Sequence, residues 1–376
     1  MSRTPARLAP MLAGMRAAVF TAPHAPLALE TLEVEAPGPG EAAVRMLASG
    51  VCHSDLHVIE GEWTTRPPLV LGHEGCAEVE SVGPGVEGLA PGDRVVLSWY
   101  YPCGRCRRCH QGRPWVCEGT GSVQNALPDG STRLRRPTGE PVFPYLAVGS
   151  FGERAVVPAA GAIRVPPELP AEVGALIGCG VATGVGAVVN TAAVEPGASV
   201  VVIGCGGVGL AIVMGAVLAG AARVVAVDLS DAKLELAREL GATAGVRAGE
   251  GATAAVAAAC PDGPDYVFEA IGTGPTIEWA IDMTPRGGTA VLVGLTPEGV
   301  RAGFDAFAFA DGARRLLGSN YGSTRPGADF PRLAELYLAG RLPVDRLISE
   351  RIGLDDVNHA FELMRRGEGA RRVIVY

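Results

Sequence analysis

The most informative pattern in the chain is an uncharged stretch from residue 199 to residue 222. It opens with SVVVIG, a β-branched block typical of a buried strand, and continues with VGLAIVMGAVLAG, which has the length of a helix. Glycines cluster between the two blocks. Interior glycines weaken a continuous helix by about 1 kcal/mol each relative to alanine, so the pattern predicts a strand, a tight turn and a helix. The alternative is a membrane-spanning helix, because about 20 apolar residues cross a bilayer.

A second uncharged stretch, residues 173–194, precedes the first, so hydropathy alone would allow a helical hairpin. The sequence lacks the aromatic belt and the lysine and arginine asymmetry that usually flank membrane helices. The block after the first stretch, ARVVAVD, is typical of another strand and ends at Asp228, 19 residues beyond Gly209. The pattern therefore favours a strand, helix, strand unit inside a globular domain.

This unit has the features of a dinucleotide-binding site. Glycines at the first turn let the backbone approach a pyrophosphate, the helix N-terminus favours its charge, and an acid ending the second strand bonds the adenosine ribose. Asp228 would repel a 2′-phosphate, so we expect NAD rather than NADP. A glycine-rich turn without a ligand is the alternative. The candidate cofactor residues are Gly204, Gly206, Gly207, Gly209 and Asp228.

Alternating patterns continue beyond Asp228. SDAKLELARELGA predicts an amphipathic helix ended by Gly241, and DYVFEAIG and GGTAVLVGL predict strands, which together indicate a parallel, doubly wound sheet over residues 181–320. The flanking segments, rich in short β-like runs and Gly/Pro turns, predict a second domain made of residues 1–180 and 321–376. The strand-like MRAAVF begins at Met15, so residues 1–14 are expected to be a flexible extension.

Composition and charge narrow the function. The chain has 376 residues, 48% hydrophobic and 19% charged, which suits two globular domains. Its 32 basic and 40 acidic residues give a net charge of −8, which argues against nucleic acid or an anionic membrane as partner. The N-terminus has no sustained apolar run of the signal-peptide kind, so we expect a cytoplasmic protein. Cysteines kept reduced there more often bind metal or perform chemistry than form disulfides.

Four of the nine cysteines are spaced as a metal site within residues 103–117. The pattern C-x₂-C-x₂-C-x₇-C places four thiolates on one lobe, which predicts a closed, structural zinc site. An iron–sulfur cluster is the main alternative, and His110 is interpreted as a solvated neighbour. The predicted ligands are Cys103, Cys106, Cys109 and Cys117.

A second candidate set is scattered along the chain. GVCHSDLH contains Cys52, LGHEG contains His73 and Glu74, and IGCGVATG contains Cys179. Two cysteines and one histidine with an open fourth position describe a catalytic zinc site. Spacing cannot connect such distant residues, and buried cysteines with a hydrogen-bonded core histidine are the alternative.

Five features occur along the chain in a fixed order: GHE, the four-cysteine lobe, GCGVATG, GCGGVG and the acid at Asp228. With these features in this order, the chain resembles the zinc-dependent medium-chain alcohol dehydrogenases from Met15 to Tyr376. The resemblance implies an α/β protein with a doubly wound Rossmann coenzyme domain and a mostly β, GroES-like catalytic domain. It implies two zinc ions per chain and NAD. The catalytic zinc would be bound by Cys52, His73 and Cys179, with Glu74 as an occasional ligand.

The resemblance also gives roles to the residues after Cys52. Ser54 resembles the hydroxyl that hydrogen-bonds the reacting alcohol, and His57 the outer end of a proton relay through the nicotinamide ribose. His53 would face the pyrophosphate, and Asp55 would orient His73 as ligating histidines usually require. The remaining implied cofactor contacts are Lys233 at the adenosine ribose, Arg371 at the pyrophosphate with Arg372 as the adjacent alternative, Val208 and Val293.

The predicted function is interconversion of a primary alcohol, aromatic or medium-chain, and its aldehyde. Residues 120–153 resemble the longer family members, which include enzymes that oxidise thiol adducts of formaldehyde. That class usually lacks a histidine at the position of His57, so a thiol-dependent formaldehyde dehydrogenase is the second choice and a catalytically silent NAD-binding protein the third.

The resemblance implies a homodimer, with a homotetramer as the alternative. Trp99 is predicted to line the pocket or the core, and Cys76, Cys205 and Cys260 to be small buried residues.

Overall fold

A computed structural model of the protein describes Leu12, residues 14–120 and residues 125–376. The prediction of a flexible extension falls largely on residues outside this set, while the strand predicted to begin at Met15 is confirmed. The strands are β1 (Met15–Phe20), β2 (Ala28–Val34), β3 (Glu41–Val51), β4 (Leu69–Val70), β5 (Glu74–Val82), β6 (Arg94–Leu97), β7 (Leu134–Arg135), β8 (Pro141–Pro144), β9 (Arg154–Pro158), β10 (Ala162–Arg164), β11 (Ser199–Ile203), β12 (Arg223–Asp228), β13 (Ala244–Arg247), β14 (Tyr266–Glu269), β15 (Thr289–Leu292), β16 (Arg315–Gly318), β17 (Ile348–Ile352) and β18 (Arg371–Val375).

The helices are α1 (His53–Ile59), α2 (Arg107–His110), α3 (Ala171–Leu176), α4 (Ala182–Gly186), α5 (Gly207–Leu218), α6 (Asp231–Glu239), α7 (Ala252–Ala259), α8 (Gly274–Met283), α9 (Ala306–Asp311), α10 (Pro326–Leu338) and α11 (Val357–Arg365). The two longest helices, α5 and α10, lie in the second half of the chain.

Strands β11 to β16 form a parallel sheet in the order β13-β12-β11-β14-β15-β16. β11 is fully buried, as its β-branched composition predicts, and α5 follows it after the glycine turn. The predicted strand, turn, helix and second strand are therefore confirmed. The strand order reverses between β11 and β14, and open sheets of this kind bind ligands at that point, beyond the carboxyl ends of the strands.

The remaining strands form a barrel, β1-β2-β7-β8-β4, and a sheet in which β10-β6-β5-β3-β18-β17 are neighbours and β9 also pairs with β3. After β16 the chain leaves the parallel sheet, and its last two strands, β17 and β18, join the sheet that contains β3. β18 pairs antiparallel with β3, so that Arg372 lies opposite Val51. The C-terminal strand is thereby placed beside the strand that leads to Cys52.

One continuous helical stretch, Ala171–Ala192, is long and apolar enough to cross a membrane, and 89% of its most apolar window is buried inside the protein. It contains α3 and α4, each followed by a π-helical segment. Its glycines permit close packing. A Cβ at Gly184 would lie 2.5 Å from the Cβ of Ala211 in α5, and one at Gly186 would lie 2.3 Å from the carbonyl oxygen of Gly322. Interior packing therefore accounts for its uncharged sequence.

Candidate active site and metal centres

Three segments of the chain converge on a buried group of potential metal ligands. Cys52 follows the end of β3, His73 and Glu74 stand at the start of β5, and Cys179 lies in the π-helical segment Ile177–Val181. One ligand atom from each of the four residues lies within 4.8 Å of the others, and all four residues are buried. The fold thus brings together the residues that sequence spacing alone could not connect.

His73 is oriented by Asp55, as the family resemblance implies. The Asp55 Oδ1 atom accepts hydrogen bonds from His73 Nδ1 at 3.2 Å and from the Gly72 amide at 2.9 Å. This arrangement leaves His73 Nε2 available as a metal ligand. Gly72 has a φ of +83°, and a Cβ there would lie 2.4 Å from the ring of Phe151, so glycine is needed at this position.

The charges in this cluster favour a cation. A hydrogen bond with Cys179 lowers the pKa of Cys52 well below its usual value, even though burial opposes this. Burial also lowers the pKa of His73, but the neighbouring Asp55 and Cys52 outweigh it and raise that pKa well above its usual value. A buried thiolate and carboxylate therefore stabilise positive charge at this point. Two cysteines and one histidine fit the ligand set of a catalytic zinc with an open position.

Glu74 is fully buried, and neither carboxylate oxygen has a hydrogen-bond partner among the described residues. Arg371 Nη1 lies 3.3 Å from Glu74 Oε1, outside hydrogen-bond geometry. Burial raises the pKa of Glu74 to about 8. Gly50 on β3 makes room for the carboxylate, because a Cβ there would lie 2.0 Å from Oε2. Such an unsatisfied buried acceptor beside three ligands fits an occasional fourth ligand.

The predicted relay residues lie on α1, which begins directly after Cys52. Ser54 is half-buried, and its carbonyl oxygen accepts a hydrogen bond from the Tyr145 hydroxyl at 3.4 Å. His57 is buried and lies 5.3 Å from the ring of His53, which is exposed. Ser54 and His57 share helix α1, and the described residues show no direct hydrogen bond between the two side chains.

The second cysteine cluster has the geometry of a single-metal site. The sulfurs of Cys106 and Cys109 are 3.6 Å apart, those of Cys106 and Cys117 are 3.8 Å apart, and all four ligand atoms lie within 4.8 Å. A zinc tetrahedron with Zn–S bonds of about 2.3 Å has edges of about 3.8 Å. A disulfide requires about 2.05 Å, and a cluster of several irons would place its cysteines farther apart because the irons lie between them. His110 is exposed, as expected.

The predicted cofactor residues surround the turn between β11 and α5. Gly204 has a φ of +93°, and a Cβ at Gly209 would lie 1.7 Å from the Gly204 carbonyl oxygen. Gly206 has open space where a Cβ would be, so a ligand can approach its backbone. Gly207 begins α5, and the half-buried Val208 lies in its first turn.

Asp228 ends β12 and is joined to the glycine turn. Its Oδ2 accepts from the amide of Cys205 at 2.7 Å, and its Oδ1 accepts from the amide of Ser230 at 2.9 Å. Ser230 caps α6, and the half-buried Lys233 lies in the first turn of that helix. Val293 is buried directly after β15.

Arg371 lies between the metal cluster and the glycine turn. Its Nη1 donates to the Val51 carbonyl oxygen at 3.2 Å, and the cation lies near Glu74. A Cβ at Gly180 would lie 2.6 Å from Nη2, and a Cβ at Gly207 would lie 2.1 Å from Nε. The buried guanidinium therefore borders the metal cluster and the start of α5 at the same time. Arg372 instead bonds Glu350.

Several residues at the site were missed by sequence reasoning. Gly50 lies beside Glu74 on the neighbouring strand, and the Tyr145 ring lies beside the His73 ring. No local sequence motif indicates either residue. Glu62 and Trp63, which contact His57, follow it closely in sequence, so their proximity to a candidate relay histidine was the available signal. The half-buried Trp99 packs on Tyr321 with ring centres 4.3 Å apart. The three cysteines that were predicted to be small buried residues are indeed buried: Cys76, Cys205 and Cys260.

Two family models match the chain. The model described as the alcohol dehydrogenase GroES-like domain matches residues 38–167, and the model described as zinc-binding dehydrogenase matches residues 207–339. The first covers much of the barrel and β3-containing sheet, and the second covers most of the parallel sheet. The predicted pairing of a GroES-like domain with a doubly wound domain is therefore confirmed.

Curated relatives and solved structures match nearly the whole chain. An alcohol dehydrogenase class-3 of Caenorhabditis elegans is 36% identical over 372 residues, 96% of each chain. An S-(hydroxymethyl)glutathione dehydrogenase of Paracoccus denitrificans is 34% identical over 96% of this chain and 99% of the relative. The crystal structure of benzyl alcohol dehydrogenase from Acinetobacter calcoaceticus superposes with a TM-score of 0.91 at 32% identity, over 97% and 99% of the two chains.

These matches run through both domains and agree with two separate groups of side chains whose geometry could hold a metal ion. The chain accordingly belongs to the zinc-dependent medium-chain alcohol dehydrogenases and is an oxidoreductase that uses zinc and NAD.

Proposed function

We propose that the protein interconverts a primary alcohol, aromatic or medium-chain, and its aldehyde, with NAD as hydride carrier. The observation that carries this proposal is the convergence of an open three-ligand site, Cys52, His73 and Cys179, with Ser54 on the adjoining turn of α1. The nucleotide turn before α5 lies on the other side of Arg371. The candidate metal ligands, the helix that carries Ser54 and the nucleotide turn are thus neighbours in the fold.

In this proposal, bound zinc supplies a Lewis acid for the alcohol oxygen and NAD accepts the hydride. Side chains of the protein transfer the proton that the alcohol releases. Ser54 would accept the hydroxyl proton of the alcohol and pass it on, and His57 would exchange that proton with water. Oxidation thus releases the aldehyde, NADH and one proton. Asp55 keeps His73 in the required tautomer throughout.

The surroundings of Ser54 support an apolar substrate. Tyr145 contacts its backbone and packs edge-on against His73 with ring centres 5.7 Å apart. Trp63 stacks on His57 with ring centres 4.5 Å apart. Aromatic side chains near Ser54 and His57 favour an aromatic or alkyl substrate, and the similar Acinetobacter structure is of a benzyl alcohol dehydrogenase.

A panel assay tests this substrate class. Purified protein is supplied with NAD and benzyl alcohol, hexanol, ethanol, or formaldehyde with and without glutathione, and NADH formation is followed. We expect turnover of the first two alcohols at low concentrations without added thiol. Turnover restricted to formaldehyde plus glutathione would instead support the second candidate function, which the Paracoccus relative favours. Absence of turnover in protein that binds zinc and NADH would support a silent role.

We also propose that Asp228 sets a preference for NAD. A 2′-phosphate at this strand end would lie close to its carboxylate, and such repulsion near a protein surface exceeds about 1.4 kcal/mol, a factor of ten. Asp228→Ala should therefore raise kcat/KM with NADP relative to NAD at least about tenfold. Asp231→Ala is the matched control, because it removes an equal charge from an exposed position on α6. A wild-type enzyme that already used both cofactors equally would contradict the proposal.

We propose that the protein forms a homodimer through the β16 edge of the parallel sheet. β16 is the last strand in the sheet order, and exposed apolar side chains lie on it and on the preceding segment. Phe307 is 80% exposed, and Val300, Phe304 and Leu316 are also exposed. Pairing of two such edges would cover them.

Sedimentation or light scattering tests this interface. Phe307→Glu should shift the protein toward monomer, because it places a charge at the most exposed of these apolar side chains. Leu338→Glu, a substitution of an exposed residue at the end of α10, should leave the oligomer unchanged. A monomeric wild-type protein, or a dimer insensitive to Phe307→Glu, would exclude this edge as the interface.

A further inference from the structure

His57 is held from two sides by the segment that follows α1. Its Nδ1 is hydrogen-bonded to the carboxylate of Glu62, and its ring stacks on Trp63 at an interplanar angle of 23°. The His57 side chain is 10% exposed, while that of Glu62 is 39% exposed. Glu62 therefore lies between a nearly buried imidazole and solvent.

The position of Glu62 is itself fixed by the nucleotide-binding domain. The Trp63 Nε1 donates to the Thr296 carbonyl oxygen at 2.9 Å, and the Glu298 amide donates to the Glu62 carbonyl oxygen at 3.1 Å. The Thr64 hydroxyl donates to Glu298 Oε2 at 2.9 Å. Three hydrogen bonds thus join residues 62–64 to the loop that follows β15. They fix the backbone from which the Glu62 side chain reaches His57.

We propose that Glu62 is a positioning residue for proton transfer through His57. By accepting from Nδ1, its carboxylate holds the proton on that nitrogen and leaves Nε2 as the basic atom. Among the residues that the structure describes, His53 also faces the ring, with ring centres 5.3 Å apart, and its side chain is exposed. This inference rests on the proposed relay function of His57.

The test compares Glu62→Ala, which removes the acceptor, with Glu62→Gln, which keeps a carbonyl acceptor at similar reach. We expect Glu62→Ala to lower kcat for alcohol oxidation about tenfold, a smaller loss than that of a group in direct proton transfer. Glu62→Gln should recover most of that loss. Glu60→Ala is the matched control, because Glu60 pairs with Arg365 and His24 rather than with His57, and it should leave kcat unchanged.

A double-mutant cycle separates this inference from the proposed function. If Glu62 acts through His57, Glu62→Ala should have no further effect on kcat in a His57→Gln background. Equal losses in both backgrounds, or no loss in Glu62→Ala while His57→Gln slows the enzyme, would overturn the role of Glu62 alone. An unaffected His57→Gln enzyme would instead overturn the relay and, with it, the basis of this inference. NADH affinity is measured in each variant, and we expect it to remain unchanged.

Discussion

Replacement of Ser54 by alanine is expected to lower kcat for alcohol oxidation by about 10²- to 10⁴-fold, the range typical of losing a positioned proton-transfer group. Ser54 is two residues from Cys52 and half-buried beside the metal cluster. The neighbouring phenol of Tyr145 is a poor substitute, because burial raises its pKa well above the usual value and disfavours the phenolate. Zinc content and NADH binding should stay normal, since Ser54 is assigned to neither ligand set.

His57→Gln provides the comparison within the same helix. It leaves the Ser54 hydroxyl in place, and water can replace part of the imidazole's function, so the loss should be smaller than in Ser54→Ala. A small diffusible base such as imidazole should restore part of the rate. Steady-state oxidation of the preferred alcohol, with and without that base, measures both effects. A Ser54→Ala enzyme with near wild-type activity would eliminate the serine as first proton acceptor and bring Glu74 forward as a base.

Loss of the Asp55 carboxylate is expected to weaken the catalytic metal site about 10- to 100-fold in zinc affinity or activity, as removal of a group that orients a ligating histidine usually does. Asp55→Ala also leaves the Gly72 amide and His73 Nδ1 without their acceptor in a buried location. An unsatisfied buried donor costs about 1–3 kcal/mol, so the melting temperature should fall as well.

Asp55→Asn distinguishes geometry from charge. Both hydrogen bonds end on Oδ1, and Oδ2 has no partner among the described residues, so an asparagine can keep the two bonds while losing the negative charge. We expect it to fall between wild type and Asp55→Ala. Zinc analysis during chelation should show two ions per chain at the start. In both variants one ion should leave faster than in wild type, while the zinc held by Cys103 and its three partners is retained. Equal retention of the catalytic ion in Asp55→Ala would contradict this role.

The nucleotide-binding half of the fold could be predicted from the sequence because its signals are local. A β-branched run, a glycine turn and a helix-length block occur in adjacent residues, and β11, α5 and β12 follow them closely. The four-cysteine lobe is equally local, since its ligands lie within 15 positions from Cys103 to Cys117. Backbone conformation and ligand spacing there depend on neighbouring residues, which the sequence displays directly.

The catalytic cluster could not be derived in this way. Cys52, His73 and Cys179 meet because the helix carrying Cys179 packs across the ends of β3 and β5, a long-range contact that has no period or spacing in the sequence. The resemblance to a family supplied that connection. Gly50, which lies opposite Glu74, was indicated neither by a local motif nor by the family resemblance. Its contribution is to lack a side chain, so that the Glu74 carboxylate has room on the neighbouring strand.

The helical stretch Ala171–Ala192 has a practical consequence for engineering. It carries the proposed metal ligand Cys179 and contacts both helix α5 and the chain near Gly322 through glycines that lack the room for a methyl group. A mutagenesis library aimed at a wider substrate range would lose many members to substitutions at Gly180, Gly184 and Gly186, because a Cβ at each position would lie within 2.6 Å of a neighbouring atom. Substitutions meant to reshape the substrate pocket are therefore better placed outside this helical stretch.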